Sequence, residues 1–420
     1  MRRVVITGIG VVTPIGCGKE RLWDSLKKGV SGVGRITKLD ASDYDCKIAA
    51  EVKDFDPLDY GMNKKETRRL DSFSQYALAA ACGAIEDAQL RLKDKNPNIG
   101  VIVGSGIGGM SGIEDEKEQY LLRVNQGKKG GAFVGALFVP KIMPNAAAGN
   151  ISMKYKLNNS SMSAASACAT GLHSIICAAK DIMLGDADVM IAGGTEGRQT
   201  PLGFCSFMNM NALCKEYNDE PEKASRPFDR ERKGFVMGEG AGIVVLEDLE
   251  HALKRDARIY AELAGYGLTS DAYHITAPDP DSCEIARAMQ LAIDRAGVSY
   301  KDVDYINAHG TSTPDNDLSE TKGIKKVFKD HAYRVKVSSS KSMMGHVIGG
   351  AGAVETAVCL FAMEESIVPP TINYETPDPG CDLYYVPNKA ERCEVNIAMN
   401  NSFGFGGHNA VVLLKKYHNE

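Results

Sequence analysis

The amino-acid sequence predicts an α/β protein made of two similar halves, each containing strands that are covered by helices on both faces. Three observations lead to this prediction. A helix, a strand and a glycine turn recur in the same order in both halves, each half closes with a strand that begins at a glycine, and the strands are apolar without alternation. Continuously apolar strands belong to sheets covered on both faces, and an internal repeat of this length indicates a duplicated unit.

The first copy of the repeat begins with a helix. Apolar residues at helical spacing predict it over residues 73–85, and the apolar strand 99–103 follows. A glycine-rich turn occupies residues 104–109, and the strand 240–247 closes this half. The turn only partly matches a dinucleotide-binding loop, and no acidic residue follows at the distance needed for a ribose, so no cofactor is predicted.

The second copy repeats this order. Its elements are a helix over residues 285–296, a strand over 303–308, a turn over 309–311 and a closing strand over 407–414. The join between the copies is expected near residues 254–260, which divides the chain into halves 1–255 and 256–420. Because no long linker separates the halves, we expect them to pack tightly together.

Composition limits the classes of protein to which the chain can belong. Its 420 residues are 44% hydrophobic and 25% charged, which is typical of a soluble globular protein. A formal net charge of −5 disfavours a general nucleic-acid binder, because such proteins present a basic surface. No run of 18 apolar residues occurs, and glycines interrupt the apolar N-terminus, so neither a membrane span nor a signal peptide is predicted. The 11 cysteines lack paired spacing, which indicates a reducing compartment such as the cytoplasm.

Cys168 lies in a run of small residues directly before a strong helical pattern. The pattern predicts a helix that begins near Cys168 and ends by Gly185. The positive end of a helix favours a thiolate, and cysteines placed there have pKa values of roughly 3.5 to 7.5 instead of about 8.5. We therefore interpret Cys168 as a nucleophile with a lowered pKa, and a buried structural cysteine is the alternative.

Two of the eight histidines occupy matching loops between a strand and a helix. His309 follows an apolar strand, and the next helix is expected to begin near Asp317 with Glu320 in its capping box. His346 lies in the second such loop, close to Lys341. Since α/β proteins place functional side chains at strand ends, both histidines are candidates for catalysis.

Motifs in four separate places, in the expected order, resemble the 3-oxoacyl-[acyl-carrier-protein] synthases. They are Cys168 in its small-residue run, His309 in Asn-Ala-His-Gly-Thr-Ser-Thr, Lys341 and His346 in Lys-Ser-Met-Met-Gly-His, and the loop Asn-Ser-Phe-Gly-Phe-Gly-Gly at residues 401–407. The similarity covers almost the whole chain and is strongest to the elongating condensing enzymes of fatty-acid synthesis. It implies the thiolase fold, with duplicated halves in αβαβα layers, and usually a homodimer.

The resemblance implies a decarboxylative Claisen condensation between an acyl group on Cys168 and malonyl carrier protein. His309 and His346 would stabilise the enolate that forms when the malonyl carboxylate is lost. Lys341 would set the local electric field. The backbone N–H groups of Cys168 and Phe405 would form the oxyanion hole. The implied partner is acyl carrier protein, with no nucleic acid, membrane or catalytic metal.

The same resemblance assigns residues around this centre. Those implied to contact the acyl chain or the pantetheine arm are Ile107, Phe207, Thr311, Thr313 and Phe405. Those that match a carrier-docking surface, with a solvated helix face as the alternative, are Lys65, Arg68 and Arg69. Those that resemble the surroundings of a structural monovalent cation in some relatives are Asn307, Glu355, Asn400 and Asn401. Ala169 and Met344 replace the hydroxyl residues common in relatives, which leaves chain-length preference and rate open.

Three other interpretations are related to this one. A polyketide ketosynthase shares every catalytic residue and is the hardest to exclude. A thiolase needs a second cysteine near the C-terminal glycine loop, and Cys393 lies too far upstream. An inactive chain-length partner lacks the nucleophile, so the presence of Cys168 argues against it.

Overall fold

Residues 1–418, the part of the chain that the computed structural model describes, form fifteen strands and thirteen α-helices. The strands of the first half are β1 (Val4–Thr13), β2 (Gly16–Cys17), β3 (Val33–Arg35), β4 (Ile48–Ala50), β5 (Ile99–Ser105), β6 (Ser161–Met162), β7 (Val189–Glu196) and β8 (Gly240–Asp248). The strands of the second half are β9 (Ala261–Ser270), β10 (Tyr305–Asn307), β11 (Lys336–Ser338), β12 (Ile367–Val368), β13 (Glu391–Arg392), β14 (Ile397–Gly404) and β15 (His408–Lys415). The helices are α1 (Lys19–Lys28), α2 (Lys64–Arg69), α3 (Ser72–Asp87), α4 (Met110–Asn125), α5 (Phe138–Ile142), α6 (Ala146–Tyr155), α7 (Thr170–Leu184), α8 (Pro201–Asn209), α9 (Leu249–Lys254), α10 (Cys283–Ala296), α11 (Pro314–Phe328), α12 (Lys341–Met344) and α13 (Ala351–Glu365).

Ten of these strands form two five-stranded sheets with the same internal order. Across the molecule the order is β11-β10-β14-β15-β9-β1-β8-β7-β5-β6, so reading it backwards exchanges the two halves. The innermost strands, β1 and β9, pair over only two residues of each strand, and this short pairing joins the sheets. The predicted duplication is therefore confirmed. The proposed boundary after residue 255 lies in the connection between α9 and β9.

The helices form three layers around the two sheets. α3 and α6 cover the outer face of the first sheet, and α10 and α11 cover the outer face of the second. α7 and α13 lie between the sheets, and each contacts strands of both halves. Both central helices have 15 residues, most of them buried, as expected for helices that face protein on all sides. The predicted αβαβα layering is confirmed.

Glycines let the outer helices lie directly on the strands at equivalent places in the two halves. A Cβ added to Gly10 of β1 would lie 1.8 Å from the carbonyl oxygen of Ala80 in α3. A Cβ added to Gly267 of β9 would lie 1.8 Å from the carbonyl oxygen of Ala288 in α10. Because the helix backbone cannot move far enough to relieve such a contact, only glycine fits at either position.

The two central helices meet through another pair of equivalent glycines. Gly171 and Gly352 are each the second residue of their helix, α7 and α13 respectively. A Cβ on Gly171 would lie 2.8 Å from the backbone nitrogen of Ala353, and a Cβ on Gly352 would lie 2.8 Å from Cγ of Leu172. The N-termini of α7 and α13 are therefore held together at the centre of the molecule.

Among the described residues, one helical stretch, Ala167–Leu184, is long and apolar enough to cross a membrane by length and composition. It contains α7, and 61% of the stretch is buried inside the protein. Its position between the two sheets is sufficient to account for its apolar character, because both of its sides contact protein.

Gly10→Ala is expected to lower the free energy of unfolding, because the added methyl group overlaps the carbonyl of Ala80. Overpacking of this kind typically costs about 1–3 kcal/mol. The control is Gly149→Ala in α6, where an added Cβ meets no atom within 4 Å and alanine is the better helix former. Urea unfolding followed by circular dichroism compares the variants, and a Gly10→Ala midpoint equal to that of the control would contradict the packing argument.

Candidate active site

Cys168 lies at the entrance to α7, in a turn with a strained backbone. Residues Ala167–Ala169 form a single 3₁₀ turn, and α7 begins directly after it. The first residue of the turn has a φ of 50°, in the left-handed region that residues with a Cβ rarely adopt. The helix ends at Gly185, which is also left-handed. The predicted placement of Cys168 at a helix N-terminus is confirmed.

Cys168, His309 and His346 meet at one point, although the cysteine belongs to the first half and the histidines to the second. The sulfur and one nitrogen of each imidazole all lie within 4.8 Å of one another. The two imidazole centres are 5.3 Å apart, and the rings are nearly perpendicular. All three side chains are buried. The structure thus brings together the three residues that the sequence singled out.

The tautomer of His346 is fixed by its own loop. The backbone N–H of Ile348 donates to Nδ1 of His346 at 3.2 Å, so the proton of the neutral ring resides on Nε2. Nε2 has no hydrogen-bond partner within residues 1–418. Burial, together with the charge of Lys341, lowers the pKa of His346 well below its ordinary value. At Nε2 this histidine is therefore a neutral hydrogen-bond donor, and not a base or a metal ligand.

His309 is held by a buried carboxylate. The backbone N–H groups of His309 and Gly310 donate to the two oxygens of Glu320 at 2.8 and 2.7 Å, and the amide of Asn401 donates to the same carboxylate at 3.0 Å. The predicted capping role of Glu320 is therefore wrong. α11 begins earlier, at Pro314, because proline is favoured in the first turn of a helix. Burial also lowers the pKa of His309 well below its ordinary value, so this ring is neutral too.

Lys341 is buried beside the two histidines and forms an ion pair with Glu355 of α13. Both side chains are at most 1% exposed. The positive charge of Lys341 acts on the whole centre, because it lowers the pKa values of Cys168, His309 and His346. The lysine is therefore placed to act through its field.

The lowered pKa predicted for Cys168 is wrong. Burial, with a smaller contribution from the nearby carboxyl group of Glu196, raises the pKa of the thiol to about 12. Lys341 and the backbone N–H groups of Phe405 and Cys168 lower the pKa, but they do not offset burial. The sequence pattern revealed the helix terminus, which favours a thiolate. It could not reveal how deeply the sulfur is buried, and burial favours the neutral thiol.

The loop after β14 brings a second backbone N–H to Cys168. The backbone N–H groups of Phe405 and of Cys168 itself both lower the pKa of the thiol, which is the effect of donors that face the sulfur. Gly404, the last residue of β14, lies so close that an added Cβ would be 3.1 Å from the nitrogen of Cys168. Gly406 and Gly407 have φ values of 87° and 72°, which glycine adopts readily. The two N–H groups can therefore stabilise an anion that develops beside the sulfur.

A cavity of about 230 Å³ opens over this centre. Thr311 and Thr313 line it, and their hydroxyl groups share a hydrogen bond of 2.8 Å. Phe207 and Phe405 also line it, with ring centres 6.4 Å apart. Ile107 is not among its lining residues and borders a separate cavity of about 20 Å³ instead. The structure therefore places four of the five predicted substrate-contacting residues around the central cavity.

The basic residues of α2 form an exposed surface. Lys65, Arg68 and Arg69 are all exposed, and no ion pair to any of them occurs within residues 1–418. The helix begins with a capping box between Asn63 and Glu66, which holds the neighbouring acidic side chain against the backbone. The three cations are therefore free to meet an acidic partner.

The four residues compared with a cation site do not share one face. Asn307 and Asn400 are partners in adjacent strands, and Asn400 donates to the carbonyl of Gly352 in α13, the helix that carries Glu355. A side-chain oxygen of each of the four residues is buried without a hydrogen-bond partner in the described part of the chain. Asn401 faces the opposite side of β14, where it meets Glu320. The first three residues fit a hard cation, which prefers oxygen ligands, and Asn401 does not.

Comparison with protein families gives two matches. Residues 1–252 match the family described as beta-ketoacyl synthase, N-terminal domain, and residues 260–375 match beta-ketoacyl synthase, C-terminal domain. The 3-oxoacyl-[acyl-carrier-protein] synthase 2 of Coxiella burnetii is 49% identical over 99% of both chains. Proteins of the same name from Staphylococcus aureus and Synechocystis are 48% and 45% identical, and these matches cover 99% of this chain and 99% and 98% of the relatives.

Solved structures share the fold along the whole chain. The ishigamide ketosynthase/chain length factor matches with a TM-score of 0.91 and 37% identity, over 99% of this chain and 100% of that one. A type II polyketide ketosynthase in complex with its acyl-carrier protein matches with a TM-score of 0.89 and 35% identity, over 99% and 100%. A beta-ketoacyl synthase from Burkholderia phymatum gives a TM-score of 0.89 at 33% identity over all of both chains. The predicted thiolase fold is confirmed.

Alkylation of Cys168 by iodoacetamide is expected to speed up about tenfold per pH unit from pH 7 to 10, because the thiolate fraction grows in this way below a pKa of about 12. Lys341→Met should slow the alkylation, since the lysine charge lowers the thiol pKa. Mass spectrometry of the Cys168 peptide over a pH series measures both rates. A plateau below pH 8 would mean that the resting sulfur is already ionised, contrary to this prediction.

Proposed function

Because the chain belongs to the beta-ketoacyl synthase family, we propose that Cys168, His309 and His346 perform its elongating condensation between them. The chain is an acyl-transferring condensing enzyme of fatty-acid synthesis, in line with relatives 45% to 49% identical to it. It joins an acyl group to a malonyl group on carrier protein and yields a 3-oxoacyl group. The observation that best supports the assignment of residues is the meeting of the thiol and both imidazoles within 4.8 Å.

In the first step, Cys168 takes the acyl group from its carrier thioester. The sulfur attacks the carbonyl carbon, and the charge that develops on the oxygen is held by the N–H groups of Cys168 and Phe405. The carbon–sulfur bond to the carrier then breaks, and the leaving thiolate receives the proton given up by Cys168. Since burial holds the pKa of the thiol at about 12, this proton is lost as the substrate binds and reacts, not beforehand.

In the second step, malonyl carrier protein replaces the free carrier. Its carboxylate leaves as carbon dioxide, and the electron pair of the broken bond forms an enolate whose oxygen accepts hydrogen bonds from His309 and His346. The enolate carbon then attacks the acyl carbonyl on Cys168, and the same two N–H groups hold the new oxyanion. Collapse of this intermediate releases the 3-oxoacyl product and the Cys168 thiolate, which regains a proton.

Lys341 contributes by its charge and not by contact with the reacting atoms. It lowers the pKa of both histidines, so both rings stay neutral and can donate without first losing a proton. Its ion pair with Glu355 balances the charge inside the protein. Breaking such a buried pair by removing one partner is costly, so the pair also supports the fold.

The central cavity holds the pantetheine arm and the beginning of the acyl chain in this proposal. The hydroxyl groups of Thr311 and Thr313 bind the polar arm, and the rings of Phe207 and Phe405 form the apolar wall. Ile107 would meet only a chain that extends beyond this cavity, because it borders the smaller one. Lys65, Arg68 and Arg69 bind the acidic carrier protein through charge complementarity.

A homodimer is proposed along the free edge of the first sheet. β6 is the edge strand, and both of its residues are exposed. Large apolar side chains are also exposed in the surrounding segments, among them Leu121, Leu122, Phe133, Val139, Met153 and Met162. Unpaired strand edges and exposed apolar side chains are typical of an interface, and a second copy of the chain would cover both.

Two further proposals concern the surroundings of the enzyme. A cytoplasmic location is supported by the cysteines, since all eleven are free thiols. A monovalent cation held by Asn307, Glu355 and Asn400 is supported by their unpartnered buried oxygens. The cation would balance polar groups behind the active site and takes no part in the condensation.

Polyketide chain extension is the second candidate function. Two of the structures with a similar fold are a ketosynthase/chain length factor and a polyketide ketosynthase with its carrier protein, at 37% and 35% identity. The curated 3-oxoacyl synthases are more similar, at 45% to 49% identity, and this difference favours fatty-acid synthesis. Product chain lengths from a reconstituted assay would separate the two functions.

His346→Ala is expected to slow malonyl decarboxylation by about 10²- to 10³-fold, the usual effect of removing one preorganised donor. Acylation of Cys168 should stay within a few-fold of wild type, because its oxyanion is held by other groups. Carbon dioxide release and the mass increment on Cys168 after incubation with acyl carrier protein measure the two steps, with His331→Ala as a control away from the cavity. Absence of the mass increment in wild type would refute the proposed function, and unchanged decarboxylation in His346→Ala would refute the role of that residue.

Reversing the charges of Lys65, Arg68 and Arg69 to glutamate is expected to raise KM for carrier-bound substrate roughly tenfold with little change in kcat. The effect should shrink as salt is added, because surface charges are screened. The control reverses three exposed lysines elsewhere, Lys254, Lys301 and Lys389. If both triple variants raise KM equally, general charge and not docking at α2 is responsible.

A further inference from the structure

Equivalent turns precede the two central helices, but only one of them holds a nucleophile. α7 follows the 3₁₀ turn Ala167–Ala169, and α13 follows the 3₁₀ turn Ile348–Gly350. The first residue of each turn is left-handed, with φ values of 50° and 43° respectively. The second residue is Cys168 in the first half and Gly349 in the second. The internal symmetry therefore relates Gly349 to the nucleophile.

The strands that face these turns end differently. β14 ends at Gly404, which has no side chain and lies beside the N–H of Cys168. β7, the equivalent strand of the same length, ends at Glu196. A carboxylate oxygen of Glu196 accepts the N–H of Gly349 at 3.0 Å. Glu196 thus fills, with its own oxygen, the place in the second half that corresponds to the oxyanion hole.

The remaining donors to Glu196 come from the last residue of β5 and the loop that follows it. One carboxylate oxygen accepts from the hydroxyl of Ser105 at 2.9 Å and from the N–H of Ile107 at 3.2 Å. The oxygen that bonds Gly349 also accepts from the N–H of Gly106 at 3.0 Å. Within residues 1–418, no cation lies within ion-pair distance of Glu196, which is 3% exposed. The carboxylate therefore joins two loops through neutral donors alone.

The turn at Gly349 also controls His346. The N–H of Ile348, the preceding residue, is the donor that fixes the His346 tautomer. Ile348 is β-branched and left-handed, a strained conformation that persists only when the surrounding structure holds it. The N–H of Gly349, the next residue in the chain, donates to Glu196. This hydrogen bond holds Ile348 in its strained conformation.

We propose that Glu196 is a positioning residue for His346: by binding Gly349, it keeps Ile348 in the conformation that directs Nε2–H of His346 toward the substrate. This inference rests on the proposed role of His346 in malonyl decarboxylation. It extends the cooperation between the halves, because an acidic side chain of the half that carries Cys168 orients a hydrogen-bond donor of the other half.

The test is Glu196→Gln, measured in the full-length enzyme. The amide group of glutamine would face backbone N–H donors, so the turn should shift and decarboxylation should fall about 10- to 100-fold. Alkylation of Cys168 at pH 8 should instead become several-fold faster. The carboxyl group of Glu196 raises the thiol pKa, so its loss lowers that pKa. Loss of packing alone would not move the two rates in opposite directions.

The control is Glu247→Gln, which alters a buried carboxylate held by His251 and Arg255 at the far end of β8. It should lower the melting temperature and leave the ratio of decarboxylation to alkylation unchanged.

If Glu196→Gln decarboxylates at the wild-type rate, or loses both activities in parallel, the proposal is overturned. A wild-type enzyme without decarboxylation would refute the proposed function instead. Should Glu196→Gln not fold, Glu196→Asp replaces it: slower decarboxylation with unchanged alkylation supports the proposal, and unchanged decarboxylation overturns it.

Discussion

The close approach of the two central helices is the contact on which the active site depends. Gly171 and Gly352 allow α7 and α13 to touch near their N-termini, where a side chain on either residue would strike the other helix. The turn that carries Cys168 enters one helix, and the loop that carries His346 leads into the other. Distant parts of the sequence therefore meet at one centre because two backbones can lie unusually close.

Burial sets the chemistry of that centre. The same burial that keeps both histidines neutral also keeps the thiol protonated, so the candidate site contains three uncharged groups. The charged side chains near the centre are stabilised in two ways. Lys341 forms an ion pair with Glu355, whereas Glu196 and Glu320 accept hydrogen bonds from backbone N–H groups. Burial raises the pKa of each of these two acids to about 7, in spite of their donors. Both acids hold loops through these hydrogen bonds.

The sequence predicted the fold and the three residues that meet at the candidate site, because both leave local marks in the sequence. The repeat appears as helix and strand periodicity, and Cys168, His309 and His346 each lie at a junction between elements. What the sequence missed depends on long-range packing: the anchoring of His309 by Glu320, the raised pKa of Cys168 and the separate cavity at Ile107. The position of Asn401 on the opposite face of β14 from Asn400 follows from strand geometry alone, and the alternation of side chains along a strand could have indicated it.

The carboxylate of Glu196 has a consequence for the ancestry of such a chain. Two identical halves would bring two equal pockets, and a substrate bound in one would compete with a substrate bound in the other. Fusion of the halves into one polypeptide lets corresponding positions, such as Glu196 and Gly404, be inherited and altered separately. Glu196 then occupies the position in the second half that corresponds to the turn of Cys168, and the described residues bring one thiol together with two imidazoles that both belong to the half without that cysteine.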